Sequence, residues 1–264
     1  MNRFLLLIIA LLSLSSHANA LTEVRSIPTR PGVTLEFLFM SPGENAGKTA
    51  LILFPGGNGT RAYRLLDDGA VQGWNFLVRS AQELSSQGFA LAIVSPPSDR
   101  PNGMSSGFRE SMEHADDVGK LAAYLAAQGY HKIFLVGNSR GTISATALAG
   151  RLHDIHLTGV ILTSSLDYDE FMRWLPLEKV RLPVLMIHNR EDQCRVSAFS
   201  EAMKTRDALR LHTKVDFVEV SGGATPMTLP CDNLSTHGFF GIEDKVMRVI
   251  IDWINGRKIP DKIE

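Results

Sequence analysis

From residue 50 to the end of the chain, two kinds of hydrophobic pattern take turns. Short apolar runs at 50–54, 89–94, 132–136, 157–163, 183–188 and 214–220 have the length of strands. Their near-continuous Val, Ile, Leu and Phe content suits strands buried on both faces. Elsewhere the apolar residues recur at helical spacing. Residues 75–87 carry Phe76, Leu77, Ala81 and Leu84 and stop at Gly88. Residues 111–128 put Ala115, Val118, Leu121, Ala122 and Leu125 on one face and stop at Gly129. A further helix follows Ser139, and a terminal amphipathic one carries Ile242, Val246, Val249, Ile250 and Trp253. Upstream, 21–27 and 33–40 read as two strands joined across the turn-forming stretch 28–32. Strands alternating with helices predict right-handed crossovers and an α/β fold. The sheet should be mostly parallel, with helices on both faces and an antiparallel hairpin at its N-terminal edge. No repeat, low-complexity tract or linker interrupts the pattern, so 21–264 is expected to form a single domain.

The first twenty residues stand outside this pattern. Arg3 precedes an apolar stretch at 4–14, and Ala18-Asn19-Ala20 is a small-residue cleavage site, so 1–20 reads as a signal peptide. The stretch is shorter than the roughly 20 residues that span a bilayer, and no later segment is a better candidate. The expectation is an exported protein, periplasmic or secreted, that starts at Leu21 and makes no stable membrane insertion. Charge is nearly balanced, at 27 basic against 28 acidic residues, and no basic run nominates a nucleic-acid surface. The two cysteines, Cys194 and Cys231, lie where export permits a disulfide. With no C-x-x-C or H-E-x-x-H pattern, neither a metal nor another cofactor is expected. Oligomeric state is left open.

Chemistry is concentrated at one predicted edge of the sheet. Two long loops, 56–74 and 95–110, leave the C-terminal ends of strands, where open α/β sheets bind ligands. At the same edge Gly137-Asn138-Ser139-Arg140-Gly141 reads G-x-S-x-G between a strand and a helix. A sharp strand-to-helix reversal exposes the apical serine, whereas an ordinary turn would merely use it to cap the helix. A serine hydroxyl is a weak nucleophile that needs a base, and the base needs an orienting acid. His237, after the last long strand, is the candidate base; His188 ends its own strand and reads as a packed or supporting group. Asp192, in the loop after the strand 183–188, is the candidate acid. Glu191 competes with it, and Asp167 and Asp169 are more distant alternatives. Donors for an oxyanion would come from the Arg140 N–H at the helix start and from the loop Pro55-Gly56-Gly57-Asn58-Gly59. Gly57 is the first choice there and Asn58 the next.

Together these features resemble the α/β-hydrolase superfamily over essentially the whole mature length. The chain order Ser139, Asp192, His237, the elbow and the Gly-rich loop all match its pattern. The resemblance implies an eight-stranded sheet and a serine hydrolase acting on a small-molecule acyl substrate, most simply a carboxylic ester. There are two departures. Pro55 stands where many members have histidine. In addition, only about eighteen residues separate the strand ending near Thr163 from that starting at Pro183, room for one short helix around 168–174. That compact build is similar to dienelactone-hydrolase-like enzymes, with serine in place of cysteine as nucleophile. If the acid and base loops meet as the resemblance implies, a Cys194–Cys231 disulfide is expected to hold them in register.

Overall fold

Each of the eight apolar runs read as strands forms one. The computed structural model describes residues 21–43, 47–153 and 156–264, so the expected signal peptide lies outside the described residues. The strands are β1 (Leu21–Arg30), β2 (Val33–Ser41), β3 (Thr49–Phe54), a small hairpin of β4 (Arg64–Leu65) and β5 (Val71–Gln72), then β6 (Ala90–Pro97). They continue with β7 (Lys132–Asn138), β8 (Leu157–Thr163), β9 (Val184–Asn189), β10 (Val215–Val220) and β11 (Lys262–Ile263). The main sheet runs β1-β2-β6-β3-β7-β8-β9-β10-β11. Its β1–β2 and β2–β6 pairs are antiparallel, and every later pair is parallel. The expected eight strands are thus extended at the far edge by a ninth, two-residue strand.

Among the described residues, seven helices accompany the sheet. They are α1 (Phe76–Arg79), α2 (Ala81–Ser86), α3 (Ser106–Arg109), α4 (Met112–Ala127), α5 (Gly141–Arg151), α6 (Phe199–Arg210) and α7 (Glu243–Ile254). Alternation along each strand feeds two cores. Ile52 and Phe54 point to one side, with Val118, Leu121 and Leu125 of α4 and Ile143 and Leu148 of α5. Leu51 and Leu53 point to the other, with Leu77 and Leu84 of α1 and α2 and Val246 and Ile250 of α7. Each such leucine, fully removed from water, contributes about 1.5–3 kcal/mol.

There are three local differences from the sequence reading. The helix expected at 75–87 is broken at Ser80, whose φ of −97° and ψ of 2° end α1 and begin α2. The helix expected around 168–174 shrinks to a 3₁₀ turn, Met172–Trp174, followed by a second, Leu177–Lys179. Finally, α6 has no counterpart in the reading, because only Ala202, Thr205 and Leu209 of it are buried. That stripe is too thin to show as an apolar period.

Candidate active site

The centre of the sheet builds a sharp strand-to-helix turn. β7 ends at Asn138 and α5 begins at Gly141, so the chain reverses within two residues, and Ser139 takes a left-handed φ of 53°. Contacts on every side hold it there. Its N–H donates to the Thr163 carbonyl at 3.0 Å, and its carbonyl accepts from the Thr142 hydroxyl at 2.6 Å. Asn138 anchors the preceding residue, accepting from Asn75 Nδ2 at 2.9 Å and donating to Thr163 Oγ1 at 3.2 Å. The reversal depends on Gly141, where an added Cβ would lie 1.8 Å from the Phe54 carbonyl oxygen. Ser139 does not cap the helix: Arg140 is the N-cap residue, and there is no side-chain cap hydrogen bond. The Arg140 N–H precedes the helical ladder, as first-turn donors do.

Asp192 and His237 meet at the same edge. Asp192 follows β9, and its buried carboxylate gathers three donors on two oxygens. Oδ1 accepts from the Cys194 N–H at 2.9 Å, while Oδ2 accepts from the Ser197 hydroxyl at 3.1 Å and lies 2.8 Å from His237 Nδ1. That pairing puts the imidazole proton on Nδ1 and leaves the Nε2 lone pair free. Nε2 is buried and has no partner. The base loop is a 3₁₀ turn, Thr236–Gly238, whose His237 carbonyl accepts from the Ser164 hydroxyl at 2.6 Å. Ser164 directly follows Thr163, the residue that receives the Ser139 N–H, so the elbow and the base loop hang from adjacent residues at the end of β8. Arg79 secures the base loop from the other side, donating to the Gly238 and Trp74 carbonyls and to Glu243.

The alternatives to Asp192 go elsewhere. Glu191 is exposed and offers His237's neighbour only its main-chain carbonyl, which accepts from Thr236 Oγ1 at 3.1 Å. Asp169 pairs with Lys204, and Asp167 accepts from the Glu170 N–H. His188 is fully buried behind the acid, with Nε2 3.0 Å from the Ser197 carbonyl and 3.6 Å from Asp192 Oδ2. Burial outweighs the attraction of Asp192 and lowers its pKa to about 4, so it is a neutral brace for the acid loop and not an ion-pair partner.

A disulfide joins Cys194 to Cys231, with Cα atoms 4.5 Å apart, and ties the loop of Asp192 to that of His237. The Gly-rich loop lies against the elbow: a Cβ on Gly56 would sit 2.8 Å from Ser139 Cβ and 2.9 Å from the Asn138 oxygen. Gly57 turns outward with φ of 71° and open space where its Cβ would be. Asn58 bends its side chain back onto Thr60 instead. Of the aromatic residues near this edge, Phe76 belongs to the core, whereas Trp74 and Trp174 are exposed.

Backbone conformation marks the same place independently. Among the described residues, the non-glycine residues with positive φ are Ser139, Ser164 and Phe239, at 53°, 47° and 56°. All three belong to the elbow, the strand end that supports it and the base loop. Such outliers persist only where surroundings over-determine them, and they cluster at functional sites. Phe239, for instance, is fully buried, with its ring centroid 4.9 Å from that of Phe76. Sequence reasoning had no signal for Ser164 or Asn75, since each acts through a partner more than sixty residues away.

No protein-family model matches the sequence, and no curated protein matches it. Solved structures do. An alpha-beta serine hydrolase homologue from Coxiella burnetii aligns with a TM-score of 0.60 at 18% identity, over 87% of this chain and 95% of that one. The esterase domain of a Rhodothermus marinus protein aligns at 0.57 and 14% identity, over 88% and 97%. An acylaminoacyl peptidase aligns at 0.61 and 14% identity; 93% of this chain matches, but only 42% of the peptidase. With the strand order described above, these likenesses establish that the chain has the α/β-hydrolase fold.

Proposed function

We propose that this protein is an exported serine hydrolase that cleaves a carboxylic ester through an acyl-enzyme. Ser139 is the nucleophile, His237 the general base and Asp192 the acid that orients it. The observation that carries the reading is the 2.8 Å contact between His237 Nδ1 and Asp192, with Nε2 buried and unpartnered. An imidazole held in that tautomer can take the Ser139 proton on Nε2 as Oγ attacks the ester carbonyl. The negative charge then gathers on the carbonyl oxygen, where the N–H groups of Gly57 and Arg140 stabilise it. Collapse of the tetrahedral intermediate breaks the bond to the alkoxy group, which leaves as alcohol with the proton from His237. Water repeats the sequence on the acyl-enzyme, releasing the carboxylic acid and restoring Ser139.

Two further parts of the reading concern substrate and place. With only two 3₁₀ turns between β8 and β9, no helical cap covers the site edge, which favours small substrates with short acyl chains. The leader-like residues 1–20 and the disulfide support export. The test is labelling with a fluorophosphonate probe and hydrolysis of p-nitrophenyl esters of increasing chain length, comparing wild type with Ser139→Ala. Labelling and turnover that vanish in the variant support the reading. A correctly folded wild type that neither labels nor turns over would refute it and leave a binding protein on this fold. A rate that rises steadily with acyl length would refute the short-chain preference alone.

A further inference from the structure

Among the described residues, the largest fully enclosed side chain is a charged one, Arg109, at the end of α3. Its Nη1 donates to Ser144 Oγ at 3.2 Å and its Nη2 to the Pro55 carbonyl at 3.2 Å, while Nε has no partner. Both acceptors are neutral, and among the described residues no carboxylate is paired with it. Burial, and to a lesser extent the like charge of Arg140, lowers its pKa to about 10, which leaves it protonated at neutral pH. An ion held away from water without a counter-ion is costly.

Of its two acceptors, Pro55 opens the Gly-rich loop, immediately before Gly56 and Gly57. Ser144 lies in the first turn of α5, the helix whose N-terminus carries Ser139 and Arg140. One planar guanidinium therefore ties together the two elements that offer oxyanion donors. The far end of the loop is clamped by the same segment that carries Arg109: the Met104 N–H donates to the Asn58 carbonyl at 3.0 Å. Gly103 makes that approach possible, since a Cβ there would lie 2.4 Å from the Asn58 oxygen. Gly56 and Gly57 thus span two carbonyls, Pro55 and Asn58, both fixed from the 98–110 loop. Behind Ser144, buried His114 places Nε2 3.0 Å from the same hydroxyl and stays neutral, so it adds no second charge to the corner.

We infer that Arg109 is a positioning residue of the oxyanion hole, fixing the spacing between the Gly57 and Arg140 N–H groups and keeping a permanent positive charge beside them. The inference rests on the serine-hydrolase reading above. The experiment labels wild type, Arg109→Met and Arg109→Lys to completion with fluorophosphonate to count active sites. It then measures kcat per labelled site, KM and the affinity of a boronic acid, which forms a tetrahedral adduct with serine. Arg109→Met is expected to lose about 10- to 100-fold in kcat per site, because a displacement of ~1 Å costs on that order, with KM changed less than about threefold. Boronate affinity should fall by a comparable factor. Arg109→Lys keeps the charge but cannot span both acceptors, and is expected to fall between the two. A merely structural arginine would lower Tm and the number of active sites, leaving kcat per site and boronate affinity untouched. In Arg109→Met, kcat per site within about twofold of wild type overturns the inference. Should that variant not fold, the same measurement on Arg109→Lys decides, a wild-type rate and boronate affinity overturning it. Absence of Ser139-dependent labelling in wild type would be a failure of the hydrolase reading instead.

Discussion

His114 in α4 and His188 near the end of β9 are both fully enclosed. Burial is the main cause of their lowered pKa values, about 3 for His114 and about 4 for His188. For His114 the charges of Arg109 and Arg30 act in the same direction, whereas for His188 Asp192 and the Ser197 carbonyl oppose burial without cancelling it. Unfolded, both would titrate near the ordinary 6.5, so below that pH the unfolded chain takes up two protons that the native protein refuses. Their contribution to stability is therefore complete above about pH 6.5 and is lost as pH falls towards 4 for His188 and 3 for His114. Across the shared window the slope is about 2.7 kcal/mol per pH unit, since each proton contributes about 1.4. At pH 5 the loss is about 2 kcal/mol for each histidine, or roughly 4 together, a large part of the 5–15 kcal/mol typical of a folded domain. Urea unfolding followed by tryptophan fluorescence at pH 8, 6.5, 5.5 and 5, under non-reducing conditions, measures this directly. His114→Gln should show about half the wild-type slope. Stability that stays constant within about 1 kcal/mol from pH 8 to 5 would refute the assignment of both imidazoles as buried and neutral.

Other perturbations separate the parts of the site. Asp192→Asn should preserve the fold but release the tautomer of His237, lowering kcat by about 10⁴-fold, as the equivalent change does in a serine protease; a loss under tenfold in ester turnover would exclude Asp192 as the acid. Gly56→Ala drives a methyl group to within 2.8 Å of Ser139 Cβ, so esterase activity should collapse while the far-UV circular dichroism stays native. Removing the disulfide by Cys194→Ser with Cys231→Ser opens a loop with a sequence separation of 37. The chain-entropy model gives about 4 kcal/mol for it, so calorimetry should find Tm lower by about 8–16 °C. An unchanged Tm would mean that other contacts suffice to hold these loops.

The sequence announced those features whose cause is local. Parallel strands buried on both faces write themselves as apolar runs, and the elbow, the Gly-rich loop and the position of His237 follow from which strand each one leaves. The cysteine pair was legible one step later, once the loops that carry it were expected to meet. Helix α6 was not legible, because Thr205 serves in its buried stripe where a larger apolar residue would have revealed the period. The break at Ser80 was hidden as well, since serine tolerates both the helix interior and its boundary. Supporting residues were the least visible. Arg109 touches Pro55 and Ser144, 54 and 35 positions away, and Ser164 touches His237 at a distance of 73. A residue defined by such partners carries no mark of its role in its own neighbourhood; an arginine beside Phe108 reads as surface until the loop is folded.

Ser139, Ser164 and Phe239 hold left-handed backbone where glycine would be easier by about 1–2 kcal/mol each. At Phe239 that relief is outweighed by the fully buried ring, whose loss would cost about 3–5 kcal/mol, and at Ser164 by the bond its hydroxyl donates to the His237 carbonyl. Variants screened only for heat tolerance would therefore drift towards glycine or asparagine at Ser139. The survivors would outlast the parent in a melting assay while losing the hydroxyl that the proposed chemistry requires. For this chain, thermal improvement and the proposed chemistry pull apart at Ser139, and any effort to harden it should leave that residue alone.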